Sequence, residues 1–373
     1  MTSRFPPIAV LLGGPSAEHD VSVVSGSAVA DALEDLGHRV ERHLIDLDGR
    51  WWRLAAGSRG PADPPSAWDD PAAIGAIGPE SAATAIERLA DADAAPVVFI
   101  ALHGPFGEDG TVQALLEAAG LPYTGSAVAA SAIGMDKAIF KRLCRGIGLP
   151  IADWREIRSD RWATDRAGVL GELEAFASGT GDPRLMVKPA RLGSSVGMTL
   201  AHVPAERAPA IELALRHDTL VLAEAYVVGA RDLEVAVIGN DPARLELYGP
   251  GEIVAGHEFY DYAAKYTPGL SRTTPTAEVD PVTRATILKI ARDCYRVIGA
   301  EGFARIDFLL NREGVVLSEI NTIPGFTPIS LFPAMAALGG HTFGGVAERI
   351  VELALERHAA AVRPRLTPAD LPR

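Results

Sequence analysis

The stretch Val315-Val-Leu-Ser-Glu-Ile-Asn-Thr-Ile-Pro-Gly-Phe-Thr-Pro-Ile-Ser-Leu-Phe-Pro333 is the one around which the chain is organised. Its first half is apolar and β-branched, as a strand requires. Glu319 and Asn321 stand two apart there, so on a strand they project from one face. Just upstream, Phe303-Ala-Arg-Ile-Asp-Phe-Leu-Leu310 repeats the pattern with Arg305 and Asp307. Asn311-Arg-Glu-Gly314 between the two runs reads as a hairpin turn ending in glycine. Folded back, the hairpin brings Asp307, Glu319 and Asn321 to one face. Hard oxygen donors from two strands suit Mg²⁺, particularly Mg²⁺ carried with phosphates. A sheet with its polar face in water also produces such pairs. Here, however, apolar residues fill both sides of the alternation and would strand the acids among buried neighbours. By the same alternation Ser318 faces away from the metal.

Around this hairpin lie 373 residues, enough for two or three domains. A hydrophobic fraction of 48% and a charged fraction of 22% are those of a soluble globular protein. The net charge of −13 argues against general nucleic-acid binding and against attraction to an anionic membrane. It does not exclude an anionic substrate, because binding depends on local charge. Cys144 and Cys294 lie far apart within helical patterns, so no disulfide framework is implied and a reducing cytoplasm is expected. The first apolar segment ends at Gly13, too short for a membrane span and without a cleavage pattern.

In chain order, Ile8–Leu12 is a buried-strand run, followed by a glycine loop and a helix from about Ser22 to Leu36. A strand over Arg39–Asp46 completes a βαβ beginning, hence an open parallel sheet. The loop between the first strand and helix lacks the dinucleotide glycine pattern. Its Glu18 suits a cation such as a substrate ammonium, or simply favours the helix dipole. Tandem Trp51-Trp52 and residues 57–95 read as a peripheral hairpin and loop. Val97–Leu102 is expected as a central strand with His103 at its C-terminal edge, where binding loops gather. His103 is there either a binding or proton-handling group or a loop histidine satisfied by carbonyls. One helical segment, Ser126–Ile147, contains Lys137. Lys188 stands in the apolar strand Leu185–Pro189 and demands an anionic partner. The loop Ala190–Gly197 after it can cradle phosphates with backbone N–H groups and the hydroxyls of Ser194 and Ser195. A lysine on a strand ahead of the loop is not the Walker arrangement. Strands follow at Leu220–Val228 and Asp232–Ile238, and residues 249–276 read as a lid. Helices from Pro281 to Ile298 and from Phe343 to Ala361 precede a mobile tail.

Seven collinear stretches together resemble the D-alanine–D-alanine ligases of the ATP-grasp superfamily: Gly13–Ser22, His103–Gly110, Met135–Lys137, Val187–Gly197, Tyr260–Tyr266, Gly302–Asp307 and Glu319–Pro333. The resemblance implies an α/β, three-domain ATP-grasp fold, an N-terminal open parallel sheet domain plus two α+β domains clasping ATP. The domains would be 1–125 for substrate, 126–224 for the central ATP-grasp unit and 225–373 for the catalytic unit with its lid. It implies that Lys137 and Lys188 contact ATP phosphates with Ser195 in the adjoining loop. Glu224, Tyr226 and Val227 would clamp adenine, and Asp232, where the family has Glu, would meet the ribose. Asp307, Glu319 and Asn321 match the ligands of two Mg²⁺, for which Mn²⁺ is a possible substitute. Arg305 and the Gly325 N–H match the oxyanion-stabilising groups. Glu18, Ser194 and Tyr266 match the holders of the first D-alanine ammonium. His103 is implied to orient the first substrate, Lys265 to close with the lid, and Ser330 and Leu331 to dock the second carboxylate.

The implied activity is ATP-dependent ligation of two D-alanine molecules through a D-alanyl phosphate, serving peptidoglycan precursor synthesis in a cytoplasmic homodimer. An acyl phosphate needs charge neutralisation and exclusion of water, which lysines, an arginine and a closing lid supply. Tyr266 favours a dipeptide product, since ester-forming relatives carry Phe there. The alternatives are a related ATP-grasp ligase with another acceptor or in secondary metabolism, and a nucleotide-binding regulatory protein without turnover.

Overall fold

The computed structural model describes residues 4–61, 65–255 and 271–361. Three sheets follow one another along the chain. The first contains β1 (Ile8–Gly13), β2 (Val40–Ile45), β3 (Trp51–Arg53), β4 (Ile77–Glu80) and β5 (Val97–Ile100), in the order β4-β3-β2-β1-β5. β1 pairs in parallel with β2 and β5, while β3 and β4 extend the sheet antiparallel. Every residue of β1 is buried, which is why it reads as an unbroken apolar run. Two expectations need correction here. Residues 57–95 are more than a hairpin and loop, because they supply β4 and a helix, Ala82–Ala90, capped by the Ser81 hydroxyl at Thr84 N–H. β5 is the last strand of its sheet rather than a central one. Its burial comes from a bridge between Val98 and Tyr123 and from the helix Phe343–Ala360, which lies against it.

The second sheet holds β6 (Trp154–Arg158), β7 (Leu185–Pro189), β8 (Thr199–Ala201) and β9 (Leu220–Ala225), all antiparallel in the order β6-β9-β7-β8. Helices Arg166–Thr180 and Pro204–Ala214 cover one of its faces. The third sheet holds β10 (Arg231–Ile238), β11 (Glu246–Ala255), β12 (Ser271–Thr274), β13 (Phe303–Asn311) and β14 (Gly314–Asn321), in the order β12-β11-β10-β13-β14. Helix Pro281–Val297 packs Ile287, Ile290, Ala291 and Cys294 against Val235, Val237, Ala304, Ile306 and Phe308 of this sheet.

The helical run expected over 126–147 is two helices, Val128–Met135 and Lys137–Gly146, broken at Asp136. The Asp136 carboxylate accepts the Ala138 and Ile139 N–H groups at 3.0 and 2.9 Å, so the second helix has its own N-cap. Ala130, Phe140 and Cys144 of this pair join the core of the third sheet, although the pair precedes the second sheet in sequence.

The first and third sheets share a core. Val346, Ile350 and Val351 of the last helix pack with Val29, Leu33 and the β1 residues. Phe326 sets its ring edge-on to both Phe99 and Phe303, at centroid separations of 6.1 and 6.2 Å. Of the lid expected over 249–276, the described ends are paired strands, β11 to Ala255 and β12 from Ser271, because they extend the third sheet. Lys265 and Tyr266, and the tail beyond residue 361, lie outside the described residues. Among those described, no helix is long and apolar enough to cross a membrane.

Candidate active site

A cleft opens between the second and third sheets. It is lined by Lys137, Lys188, Ser194, Ser195, Glu224, Tyr226, Val227 and Asp232 on one side of the sequence, and by Arg305, Asp307 and Glu319 on the other. One face of the third sheet divides along β10. Asp232 and Glu234 open to the cleft, whereas Ala236 and Ile238 further along the same face are sealed in the core shared with the first sheet. The polar and apolar halves of one strand face thereby place the cleft at the sheet's outer end.

The β13–β14 hairpin forms as its sequence indicates. Asn311 Oδ1 accepts the Glu313 N–H at 2.9 Å, and Gly314 takes a φ of +137° that closes the turn. Arg305 lies opposite Asn321, and Asp307 opposite Glu319. Between Asp307 and Phe308 the register shifts, leaving Ser318 as an extra residue on β14. Simple alternation would turn Ser318 away from Glu319. The bulge instead lets Leu317 enter the core while Ser318 lines the cleft beside Glu319.

Arg305 grips Asp307 with two bonds of 2.7 Å each, and Asn321 Nδ2 donates to Asp307 Oδ2 at 3.0 Å. Glu234, which the sequence reading passed over, stands 3.2 Å from Arg305 Nε. Burial disfavours charge on Arg305, but Asp307 and Glu234 outweigh it and hold the guanidinium far above its ordinary value. Lys137 opens the second of the two helices, with its N–H on the Ala190 carbonyl. Its Nζ donates to Leu192 O at 2.9 Å and lies 3.4 Å from Glu319 Oε2. Two carboxylates and an amide oxygen, ringed by cations, fit a divalent ion that brings phosphate oxygens with it. Among the described residues no three His, Cys, Asp or Glu side chains gather into a closed cage.

A second missed residue is Lys141. It is 1% exposed and reaches Glu224 Oε1 at 3.1 Å, while Lys188 reaches the same oxygen at 3.0 Å. Burial opposes charge on Glu224, but Lys141 and Lys188 prevail and hold the carboxyl below its ordinary value. Burial likewise opposes charge on Lys188, and Glu224 and Glu319 overcome it. Burial, first, and Lys188 pull the Lys141 pKa down while Glu224 resists. With that proton kept, two lysines on one carboxylate leave one net positive charge at the cleft wall, to which Lys137 adds another. The available signal for Lys141 was its spacing of four from Lys137, which sets both on one helix face.

The loop after β7 holds Ser194 and Ser195 at φ of +49° and +57°. Two successive non-glycine residues in the left-handed region cost about 1–3 kcal/mol each, which marks the loop as functionally constrained. The Ser194 hydroxyl donates to Glu18 Oε1, tying the second unit to the first. Glu18 precedes helix His19–Asp35 and is buried. Among the described residues its other oxygen, Oε2, accepts no hydrogen bond, and a Cβ at either Gly104 or Gly193 would come within 2.6 Å of it.

His103 is also buried. Its Nδ1 lies 3.0 Å from the Ile323 carbonyl and its Nε2 3.0 Å from Ser25 Oγ. Burial lowers its pKa, so the ring is neutral. A carbonyl only accepts, so Nδ1 carries the proton and Nε2 accepts from Ser25. Glu108, in the same loop, was not singled out by sequence. Its carboxylate accepts Gly104 N–H at 2.8 Å and Ile323 N–H at 3.2 Å. Gly325 follows two residues later, facing Ser330, whose hydroxyl accepts the Thr327 N–H at 3.0 Å. Ser330 stands at the N-terminal boundary of a short helix, Leu331–Ala337, and Leu331 is buried in its first turn.

Comparison with known proteins bears on this geometry. Residues 7–126 match the family model described as D-ala D-ala ligase N-terminus, and residues 143–352 the one described as D-ala D-ala ligase C-terminus. A D-alanine–D-alanine ligase of Kineococcus radiotolerans is 40% identical over 372 residues, covering 94% of this chain and 97% of its own. One from Heliobacterium modesticaldum is 39% identical over 360 residues, covering 94% and 95%. The solved D-alanine–D-alanine ligase from Coxiella burnetii superposes with a TM-score of 0.76 at 29% identity, covering 95% and 96% of the two chains. The VanG D-Ala:D-Ser ligase from Enterococcus faecalis superposes at 0.78, again at 29% identity, covering 94% and 100%. With both halves matched by family models and a relative 40% identical along almost the whole chain, this chain belongs to the D-alanine–D-alanine ligase family.

Proposed function

We propose that this chain joins two D-alanine molecules into D-alanyl-D-alanine for peptidoglycan precursor synthesis, using ATP, forming a D-alanyl phosphate and releasing ADP and phosphate. The observation that carries this is the juncture of Glu18 with Ser194 at the edge of a cleft that also holds Lys137, Lys188 and the Asp307–Glu319–Asn321 face. The Glu18 oxygen that has no hydrogen-bond partner among the described residues is suited to the first D-alanine ammonium, with Ser194 and Tyr266 around it. The apolar slot beside Tyr226 and Val227 suits adenine, with Glu224 behind it and Asp232 toward the ribose. Lys137, Lys188 and the loop at Ser195 face the phosphates, where their charge offsets that of the transferring phosphoryl group.

Asp307, Glu319 and Asn321 would hold two Mg²⁺ arriving with ATP, and those ions would supply charge neutralisation for the transferring phosphoryl group. To ligate metal, Asp307 turns an oxygen away from Arg305, and Asn321 presents its oxygen rather than its nitrogen. The first carboxylate attacks the γ-phosphorus, and the second amine then attacks the acyl carbon. Arg305 and the Gly325 N–H stabilise the tetrahedral oxyanion before phosphate leaves. Ser330 and Leu331 dock the second carboxylate, His103 orients the first substrate side, and Lys265 and Tyr266 exclude water. Units of 1–125, 126–224 and 225–373 divide these tasks in a cytoplasmic homodimer.

The test is phosphate release from ATP by the purified chain, with and without Mg²⁺. Release should require Mg²⁺ and D-alanine and should fail with L-alanine. No release with D-alanine, in the presence of release with another acid, overturns the proposal. The D-Ala:D-Ser ligase among the structural neighbours makes D-serine the second acceptor to assay, with D-lactate as the ester-forming control.

A further inference from the structure

The loop that carries Gly325 begins where β14 ends, at Asn321, so strand pairing does not position it. Side chains of the first unit hold it instead. Ile323 is bound at both of its backbone groups: its N–H donates to Glu108 Oε1 at 3.2 Å, and its carbonyl accepts from His103 Nδ1 at 3.0 Å. Three residues on, the Phe326 N–H points to Ser25 Oγ at 3.4 Å, the same hydroxyl that serves His103 Nε2. Gly325 lies between these two anchored residues. Of the three anchors, only Glu108 is ionisable as an acid and holds two peptide groups, because its Oε2 takes the Gly104 N–H at 2.8 Å.

We propose that Glu108 is a positioning residue for the ligation step, a carboxylate that reaches from the first unit to fix Ile323 and thereby aim the Gly325 N–H at the developing oxyanion. This rests on the ligase function proposed above. A donor for an oxyanion is effective only within a narrow geometry, and a misplacement of about 1 Å costs on the order of a hundredfold in rate. Glu108 stays clear of the ATP cleft, whose walls are formed by other residues. Its effect therefore falls on turnover rather than on nucleotide binding.

Glu108 is also tied to the first-substrate end of the site. Gly104, which donates to Glu108, lies so close to Glu18 that a Cβ there would come within 2.6 Å of Glu18 Oε2. Burial, then the Glu18 charge, pushes the Glu108 carboxyl up to about 8, while the two N–H donors and Lys137 pull it down. An ammonium seated against Glu18 cancels the repulsion between the two acids. Substrate binding thus favours the charged form of Glu108, which accepts both N–H groups fully. The loop would be held most firmly when the first substrate is in place.

The test compares the full-length wild type with Glu108→Gln and Glu108→Ala in Mg²⁺- and D-alanine-dependent phosphate release, together with the KM for ATP and the thermal midpoint. Glutamine keeps the shape but offers one accepting oxygen for two N–H donors, so its kcat should fall about tenfold or more while the ATP KM stays within about twofold. Alanine should lose more; if it fails to fold, the isosteric glutamine variant decides. A kcat within about twofold of wild type in the glutamine variant overturns the role, as does an ATP KM that rises in step with the loss of kcat. If the wild type itself shows no D-alanine-dependent release, the ligase function falls and takes the Glu108 role with it. An active wild type beside an unaffected variant removes only Glu108.

Discussion

Lys141 shows how a buried side chain acts at a site it does not line. Its ammonium shares Glu224 with Lys188 and sits 5.7 Å from the centre of the Trp154 ring, which further compensates its lost hydration. Burial pulls the Lys141 pKa down and the Glu224 carboxylate opposes that shift. The charge that Lys141 keeps against Glu224 is what the cleft wall would lose without it. At an effective dielectric near 20, a unit charge roughly 10 Å from a phosphate is worth about 1–2 kcal/mol. Lys141→Met should therefore raise the dissociation constant for ATP roughly tenfold, measured by equilibrium binding; unchanged affinity would mean the charge is screened from the nucleotide. Lys188 was legible in sequence because a lysine inside an apolar strand requires a partner. Lys141 was not, because a lysine in a helix is by default a solvated one.

Elements place these residues through close contacts that no local pattern reveals. Helix His19–Asp35 carries Ser22 and Ser25 toward His103 and leaves Glu18 at its entrance. It lies flat on β1 because position 26 is glycine: a Cβ there would overlap Leu12. Gly26→Ala gains helix propensity of up to about 1 kcal/mol, but overpacking costs about 1–3 kcal/mol and displaces the helix. The variant should unfold at lower urea and turn over more slowly than wild type. A midpoint equal to or above that of wild type would show that the interface has room. The break at Asp136 belongs with this. The apolar pattern from 126 to 147 is continuous enough to read as one helix, whereas the Asp136 side chain, capping Ala138 and Ile139, starts a second helix at Lys137. Capping competes with helix continuation through side-chain oxygens, and hydrophobic periodicity does not register it.

Across the molecule the first and third sheets share a core, and two buried acid–base groups at their junction give stability opposite pH dependences. His103 is neutral when folded and protonated when unfolded below its ordinary value of 6.5, so it favours the fold as pH rises toward 6.5. Glu108 holds its proton more tightly when folded, between its ordinary 4.5 and about 8. The folded state therefore loses stability as pH rises through that interval. Above about pH 7 only the Glu108 effect remains of the two. Denaturant midpoints should fall between pH 7 and pH 8.5 in the wild type and stay flatter in Glu108→Gln. Parallel slopes would show that Glu108 is ionised throughout that range in the folded protein.

The sequence by itself determined the strands and their chemistry. Alternation put Arg305 with Asp307 and Glu319 with Asn321, continuous apolar runs marked β1 and β7, and the glycine of Asn311–Gly314 set the hairpin. These are local consequences of a two-residue side-chain period and of turn stereochemistry. Only the tertiary structure decided that Ser318 joins Glu319 in the cleft, that Lys141 shares Glu224, and that Glu108 and His103 hold Ile323 from 215 and 220 residues away. The reason is physical. A bulge, a buried ion cluster and a clamped peptide group are settled by what desolvation demands when distant segments meet, and no one segment carries that demand alone.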